Sequence, residues 1–454
     1  MDGEIYRYQI YCESDNRWEI VWATSPPTLC PVNNTHTVRS GISYEDKTIA
    51  DSYNRLRVTT NRSVMSFKQL YSNVPDVRFE TLLANGSSSL YVQNSALTEL
   101  TTSTLINSSA TFQSREYFVY QSGACLNVII SGLIGAQKTG SVQEIGYYDD
   151  CNGLFFRMDG DGGLSAVHRT KTSGSVVETV VLQNNWNTNR LKGDGYSGYN
   201  LDATKTQFWW IDLQWQGTGR ARFGIYHNGE AIVCHKFNFN NMLSTVYMST
   251  PCLPVRFKIY NTAVTASPTT MKAICVAVSL ESFTDPVGFP FSVYSPLKNI
   301  NNITVETGTS NFIPVLSIRL KTSFKTVANR IKLKIDSFSC LVSGNSTTPC
   351  IYAIIWNPTL TGAIFSDVDT TYSGTEYDIT AVSLTGGVIN NSGVINNTTG
   401  SIRINPDDYL NYNRFPMSVN MNSNSSIILC LAVKRLATMP IVEASASLEW
   451  SEIY

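Results

Sequence analysis

Between Phe208 and Trp215 the residues alternate strictly. Trp209, Ile211, Leu213 and Trp215 fall on one side, and Trp210, Asp212 and Gln214 on the other. A repeat of two residues fits a strand and no helix. Gly217-Thr218-Gly219 follows, then Ala221, Phe223 and Ile225 in the same period, then Asn228-Gly229, then Ala231, Val233, His235 and Phe237. Asn-Gly is the strongest two-residue hairpin signal, because both positions tolerate positive φ. Three hairpin-linked strands with turns about ten residues apart predict an antiparallel sandwich. Its register sets one inward face, on which Trp209, Ile211, Leu213 and Trp215 join Phe223 and Ile225.

Similar signals run along most of the chain. Strands are predicted at Tyr117 to Gln121, Leu126 to Gly132, Gly153 to Met158 and Ser175 to Leu182. Pro286 to Asn302, rich in Pro, Ser and Asn, reads as a linker. Beyond it, Ile313 to Leu320, Arg330 to Phe338, Ile351 to Trp356, Ser401 to Ile404, Ile427 to Val433 and Ala444 to Trp450 predict a second β unit. Asn390 to Gly400 reads as a loose loop. At the amino-terminal end, Tyr6, Tyr8, Ile10 and Cys12 alternate up to a Glu13-Ser14-Asp15-Asn16 turn, and Trp18, Ile20 and Trp22 alternate back. Ser25-Pro26-Pro27 ends that hairpin, since proline cannot donate to a ladder. An isolated hairpin is marginal in water. Trp18, Trp22, Tyr6 and Tyr8 are therefore read as an assembly anchor, docked on another protein, on a sister subunit or on the chain's own sandwich.

The reading is all-β: antiparallel β-sandwich domains with an N-terminal hairpin arm. The expected divisions are an arm over 1–45, a central sandwich over 46–290 and a carboxy-terminal sandwich over 300–454.

Charge narrows the function. Lys plus Arg number 34 against 35 Asp plus Glu, a net charge of −1, and only 15% of residues are charged. That balance speaks against a basic nucleic-acid binder. Hydrophobic content of 43% is too rich for disorder. No apolar run approaches the ~18 residues of a membrane span, so no direct membrane insertion is expected. The acidic start Met1-Asp2-Gly3-Glu4 does not read as a secretory signal. Ten cysteines without a Cys-x-x-Cys pair predict free buried thiols in a cytosolic chain. Cys12 with Cys30 and Cys340 with Cys350 remain open as bridges.

Chemistry-bearing motifs are few. Four histidines, His36, His168, His227 and His235, lack carboxylates at ligand spacing and read as packing residues. Asp159 and Asp161, in Asp159-Gly160-Asp161-Gly162-Gly163, suit Ca²⁺ through oxygen ligands or simply make a turn. No other cofactor is expected. Glu144 and Asp150 are the nearest thing to paired acids, but no Glu-x-Asp-x-x-Glu strand, Gly-x-Ser-x-Gly elbow or phosphate loop is present. The chain is not expected to be an enzyme. Tyr196 and Tyr199, in a glycine-rich loop, could stack on a sugar or pack on their own sandwich.

Several blocks are similar to a known family. Arg17-Trp18-Glu19-Ile20-Val21-Trp22, with Thr28-Leu29-Cys30-Pro31-Val32-Asn33-Asn34 and His36-Thr37-Val38, resembles a short module of structural proteins from large double-stranded DNA viruses and some marine tailed phages. Asn54 to Val58, Gln121 to Phe156, Phe208 to Phe239, Tyr247 to Arg256 and Asn357 to Gly362 resemble the same family. The resemblance implies a virion component (minor capsid, vertex, fibre or spike) assembled in the host cytoplasm. Its partners would be other capsid or virion proteins, further copies of itself, and a host-surface glycan. The strand–turn–strand run also resembles a concanavalin-like, laminin-G-like or jelly-roll-like sandwich, a fold whose members often bind glycans and sometimes cleave polysaccharides. The resemblance supplies no catalytic residues.

Overall fold

Strand Gln207–Leu213 lies between Cys125–Leu133 and Arg220–His227 and is antiparallel to both. The structure is a computed structural model. It describes residues 6–12, 17–23, 28–30, 35–36, 62–71, 78–195, 197–281, 288–300, 312–344, 349–396, 402–404, 417–422, 424–436 and 442–454. Trp209, Ile211, Leu213, Phe223 and Ile225 are buried together, as the alternation requires, and Trp215 is half-buried just past the strand. The opposite face is closed as well. Trp210, Asp212 and Arg222 are enclosed there. Trp210 Nε1 donates to Asn127 Oδ1 at 2.6 Å, and Arg222 pairs with Asp212 and lies over the Trp210 ring. A buried polar layer produces the same alternation as a solvent face, provided each polar group finds a partner.

The chain divides into two compact units, Met1–Ser114 with Tyr120–Thr284, and Arg115–Val119 with Asp285–Tyr454. In the first, a seven-stranded sheet runs in the order Val177–Leu182, Gly163–Thr170, Gly153–Asp159, Ser141–Tyr148, Val255–Asn261, Ser109–Ser114, Phe79–Ala84. An eight-stranded sheet packs against it, built around Cys125–Leu133, Gln207–Leu213 and Thr270–Glu281. Phe156 of the seven-stranded sheet meets Trp209 and Phe223 of the other at ring distances of 4.8 and 5.2 Å. These rings are the centre of the core. Every pairing between described strands is antiparallel, and the only helical segments among the described residues are two three-residue 3₁₀ turns.

The second unit is also a two-sheet sandwich. Its five-stranded sheet is centred on Val442–Ile453, flanked by Lys332–Gly344 and Phe289–Tyr294. Its six-stranded sheet is centred on Ile313–Leu320, Ile428–Arg435 and Cys350–Trp356. Phe338 and Tyr352 meet between the sheets at 6.0 Å. The expected class, all-β antiparallel sandwiches, is the class observed.

Three local expectations are corrected. Tyr117 to Gln121 forms no strand; side-chain contacts hold the segment, with Glu116 paired to Lys332 and Arg330 over the Tyr117 ring. The supposed linker contains strand Phe289–Tyr294, where Pro290 is tolerated because the strand is the terminal one of its sheet. The supposed loop after Asn390 begins inside strand Val388–Ile395, since Asn and Ser still pair through their backbone. The amino-terminal hairpin is present. Tyr6 stands opposite Ala23, Tyr8 opposite Val21, Tyr11 opposite Trp18 and Arg7 opposite Trp22. The docking of Tyr6, Tyr8, Trp18 and Trp22 lies outside the described side chains.

Candidate functional site

The residues singled out by sequence are largely occupied with local structure. Asp159 Oδ1 accepts the backbone N–H groups of Asp161 and Gly162 at 2.9 and 3.1 Å, closing its hairpin, while Asp161 is exposed. Among the described residues, no three His, Cys, Asp or Glu side chains are gathered to hold a metal ion. Tyr199 packs its ring on His227 at 4.1 Å and donates to Gln207 Oε1 at 3.3 Å. Tyr196 lies outside the described residues. His168 and His235 sit against Phe237 within the core, and burial pushes both imidazoles down to about 4. Cys12 Sγ lies 3.7 Å from His36 Nδ1. None of the ten cysteines is joined in a disulfide, and burial, with Cys350 nearby, pushes the Cys340 thiol up to about 12.

The outer face of the seven-stranded sheet carries a charge network that its strand pattern foreshadows only as scattered polar residues. Register aligns Arg157 with Glu144, Glu144 with Lys258, and Arg169 with Glu178. Arg157 pairs with Glu144 and Glu178, each at 2.7 Å, and Arg169 pairs with Glu178 at 2.7 Å. Arg256 holds Asp150 at 2.6 Å and donates to Gln113 Oε1 at 2.6 Å. Beneath these cations Tyr148 and Phe155 stack at 4.2 Å over Gly146. A Cβ on Gly146 would lie 2.5 Å from the Phe155 backbone. Asp150 and Glu178 in this network are not suited to act as general acids. Burial works to raise Asp150 and Glu178, but Arg256 and Lys258 outweigh it at the first, and Arg157 and Arg169 at the second. Both carboxyls are held below their ordinary range, whereas a general acid needs its proton retained near neutral pH.

An open site lies in the second unit. Phe289, Phe324, Lys325, Tyr372 and Tyr454 line a cavity of about 320 Å³, within the range of ligand pockets. Its aromatics are unusually bare, with Phe289 59%, Tyr372 64% and Tyr454 58% exposed. Single exposed aromatics are ordinary, but a cluster of them around a hollow marks a surface that meets something. Phe289–Tyr294 and Val442–Ile453 pair directly and bring Phe289 near the end of the sheet that Tyr454 follows. Strands Ser323–Phe324 and Val327–Ala328 form a tight hairpin whose two turn residues, Lys325 and Thr326, have φ of 46° and 70°. For a β-branched threonine that conformation is strained, of order 1–3 kcal/mol. It presents Phe324 and Lys325 to the hollow.

The floor is rigid. Glu452 is fully buried and accepts from Ser373 Oγ and Thr375 Oγ1 at 2.6 Å each, from the Gly374 N–H at 2.9 Å and from Trp450 Nε1 at 3.3 Å. The single Tyr454 O–H lies within reach of two acceptors, the Tyr372 carbonyl and Glu452 Oε2, the latter at 3.1 Å. This network fixes the Tyr454 ring and the backbone that carries Tyr372. Sequence reading missed the site because its residues lie far apart in the chain and its turn carries neither Gly nor Asn. Exposed aromatics at strand ends were the available signal.

No family model matches the chain, and no curated protein matches it. Among solved structures it is similar to a Bacillus licheniformis beta-glucanase, with 12% identity, 47% of this chain and 97% of that one covered, and a TM-score of 0.30. It is similar to a legume lectin-like domain from Entamoeba histolytica at 9% identity, covering 48% and 98%, with a TM-score of 0.29. The Emp47p carbohydrate recognition domain gives 11% identity, 48% and 96% coverage, and a TM-score of 0.30. Likeness of this size carries no functional argument.

Proposed function

We propose that this chain is a non-catalytic carbohydrate-binding protein whose second unit seats a sugar in the cleft of Phe289, Phe324, Tyr372 and Tyr454. The observation that carries the reading is the clustering of bare aromatic rings around one hollow of sugar-ring dimensions. The apolar C–H face of a pyranose matches an aromatic face, and a few convergent polar groups then orient its hydroxyls. The Glu452 network supports it by holding Tyr454 in place before ligand arrives, which lowers the ordering cost of binding. In the virion setting implied by the sequence resemblance, such a cleft would serve attachment to a host-surface glycan.

A glycan array with the full chain, followed by titration calorimetry on the best ligand, tests the reading. Tyr372→Ala is expected to weaken binding at least tenfold while leaving the melting temperature unchanged. Absence of binding to any glycan, or wild-type affinity in Tyr372→Ala, would refute it.

A second reading, a structural subunit of a particle, is favoured by a different observation. Val177–Leu182 is the terminal strand of its sheet among the described residues, and it exposes Val177, Val180 and Leu182, with Val176 beside them. Terminal strands with bare apolar side chains invite pairing with another chain. Light scattering of wild type against Val180→Lys would detect the loss of self-association that this reading requires.

A further inference from the structure

We propose that the ligand of the aromatic cleft is an acidic sugar, one bearing a carboxylate or sulfate, recognised by Lys325; this inference rests on the carbohydrate-binding reading above. Among the described residues, Lys325 is the only charged side chain lining the hollow. It is exposed, and its ammonium lies over the Phe324 ring at 5.4 Å. The neighbouring Lys321 differs. Its charge is matched by Asp367 at 3.1 Å, and it also donates to the Asp369 carbonyl at 3.0 Å.

The acids around the cleft are committed elsewhere. Glu452 is buried and saturated by Ser373, Gly374, Thr375, Trp450 and Tyr454. Asp369 Oδ1 accepts the N–H groups of Thr371 and Tyr372 at 2.7 Å each. The Tyr454 hydroxyl is spent on Glu452 and the Tyr372 carbonyl. What the lining offers an incoming molecule is therefore a cation and aromatic faces. A sugar carrying an anionic group satisfies both, its ring against Tyr372 or Phe289 and its charge against Lys325. The positive φ of Lys325 and Thr326 gives this placement a stated cost: the turn holds a strained conformation, and strain of this kind persists where surrounding structure maintains it for a site.

The test pairs ligands that differ only at the acidic group, with the full chain in calorimetry: sialyllactose against its carboxyl-reduced form, and trigalacturonate against its carboxyl-reduced form. The acidic member of at least one pair is expected to bind ten or more times tighter, and the preference to fade as salt is raised from 50 to about 500 mM. Lys325→Met should abolish the preference and Lys325→Arg should retain most of it. Equal affinity within both pairs, or an unchanged preference in Lys325→Met, overturns the acidic-sugar inference and leaves the carbohydrate reading standing. No binding by any of the four, together with a blank array, refutes the underlying reading and this inference with it.

Discussion

Arg157 donates to two carboxylates at once, through Nε to Glu144 Oε1 at 2.8 Å and through Nη1 and Nη2 to Glu178 at 2.7 and 2.9 Å. Glu144 is fully buried and Arg157 nearly so. Removing one partner of a buried pair leaves the other charge uncompensated, which costs about 3–5 kcal/mol. Arg157→Leu is expected to lower the urea unfolding free energy by about 3 kcal/mol. Adding Glu144→Leu should restore most of that loss. Strictly additive losses in the double variant would show that the two charges do not compensate each other.

His168 and His235 supply a pH dependence of defined sign. Both are held down to about 4 by burial, from an ordinary value of 6.5. In the fold they stay neutral, while the unfolded chain takes up protons near its ordinary value. Their contribution is complete above pH 6.5 and is lost as pH falls toward 4, on the order of 3 kcal/mol for each. Denaturant melts at pH 7.5 and 5.0 should differ accordingly, and His168→Phe should shrink the difference. An unchanged difference in that variant would assign the dependence to other groups.

The Lys325-Thr326 turn predicts a gain from substitution. Glycine adopts positive φ without the steric cost that a β-branched residue meets. Thr326→Gly is expected to stabilise the chain by about 1 kcal/mol, the relief of strain exceeding the entropy that glycine adds to the unfolded state. A fall in melting temperature would mean that the turn is not strained.

Glu452 is the acceptor on which the cleft floor closes. Glu452→Ala strands buried donors from Ser373, Gly374, Thr375 and Trp450, and each unmet buried donor costs about 1–3 kcal/mol. The variant is expected to lose at least 3 kcal/mol of stability. Burial, aided by the Glu452 carboxylate, pushes the Tyr454 phenol above its ordinary value. Glu452→Gln should therefore bring the phenolate absorbance titration down in pH. No movement of that titration would separate the two residues.

The parts legible in sequence are those whose signal is local. Period-two runs such as Phe208 to Trp215 identify the core face, and Asn228-Gly229 marks its turn, because both follow from backbone geometry alone. The burial of Trp210 and Asp212 was not legible, since alternation records polarity and not what covers it. Strands Phe289–Tyr294 and Val388–Ile395 were hidden by Pro, Asn and Ser, whose β-propensity is poor but whose place beside a long neighbouring strand outweighs it. The cleft was illegible for a related reason. Residues 289, 324, 372 and 454 meet only through long-range pairing, and each alone is an ordinary aromatic at a strand end.

Arg115–Val119 belongs to the second unit although the first unit's residues flank it on both sides. During synthesis this has a timing consequence. Glu116 must wait for Lys332, 216 residues later, and the fully buried Phe118 emerges well before the strands of its own unit. At about 5–20 residues per second the wait is roughly 10 to 40 s. Through that interval the nascent chain carries a five-residue stretch whose own unit has not yet emerged. Slowing the ribosome between residues 120 and 330 would lengthen the interval before the Glu116–Lys332 pair can close.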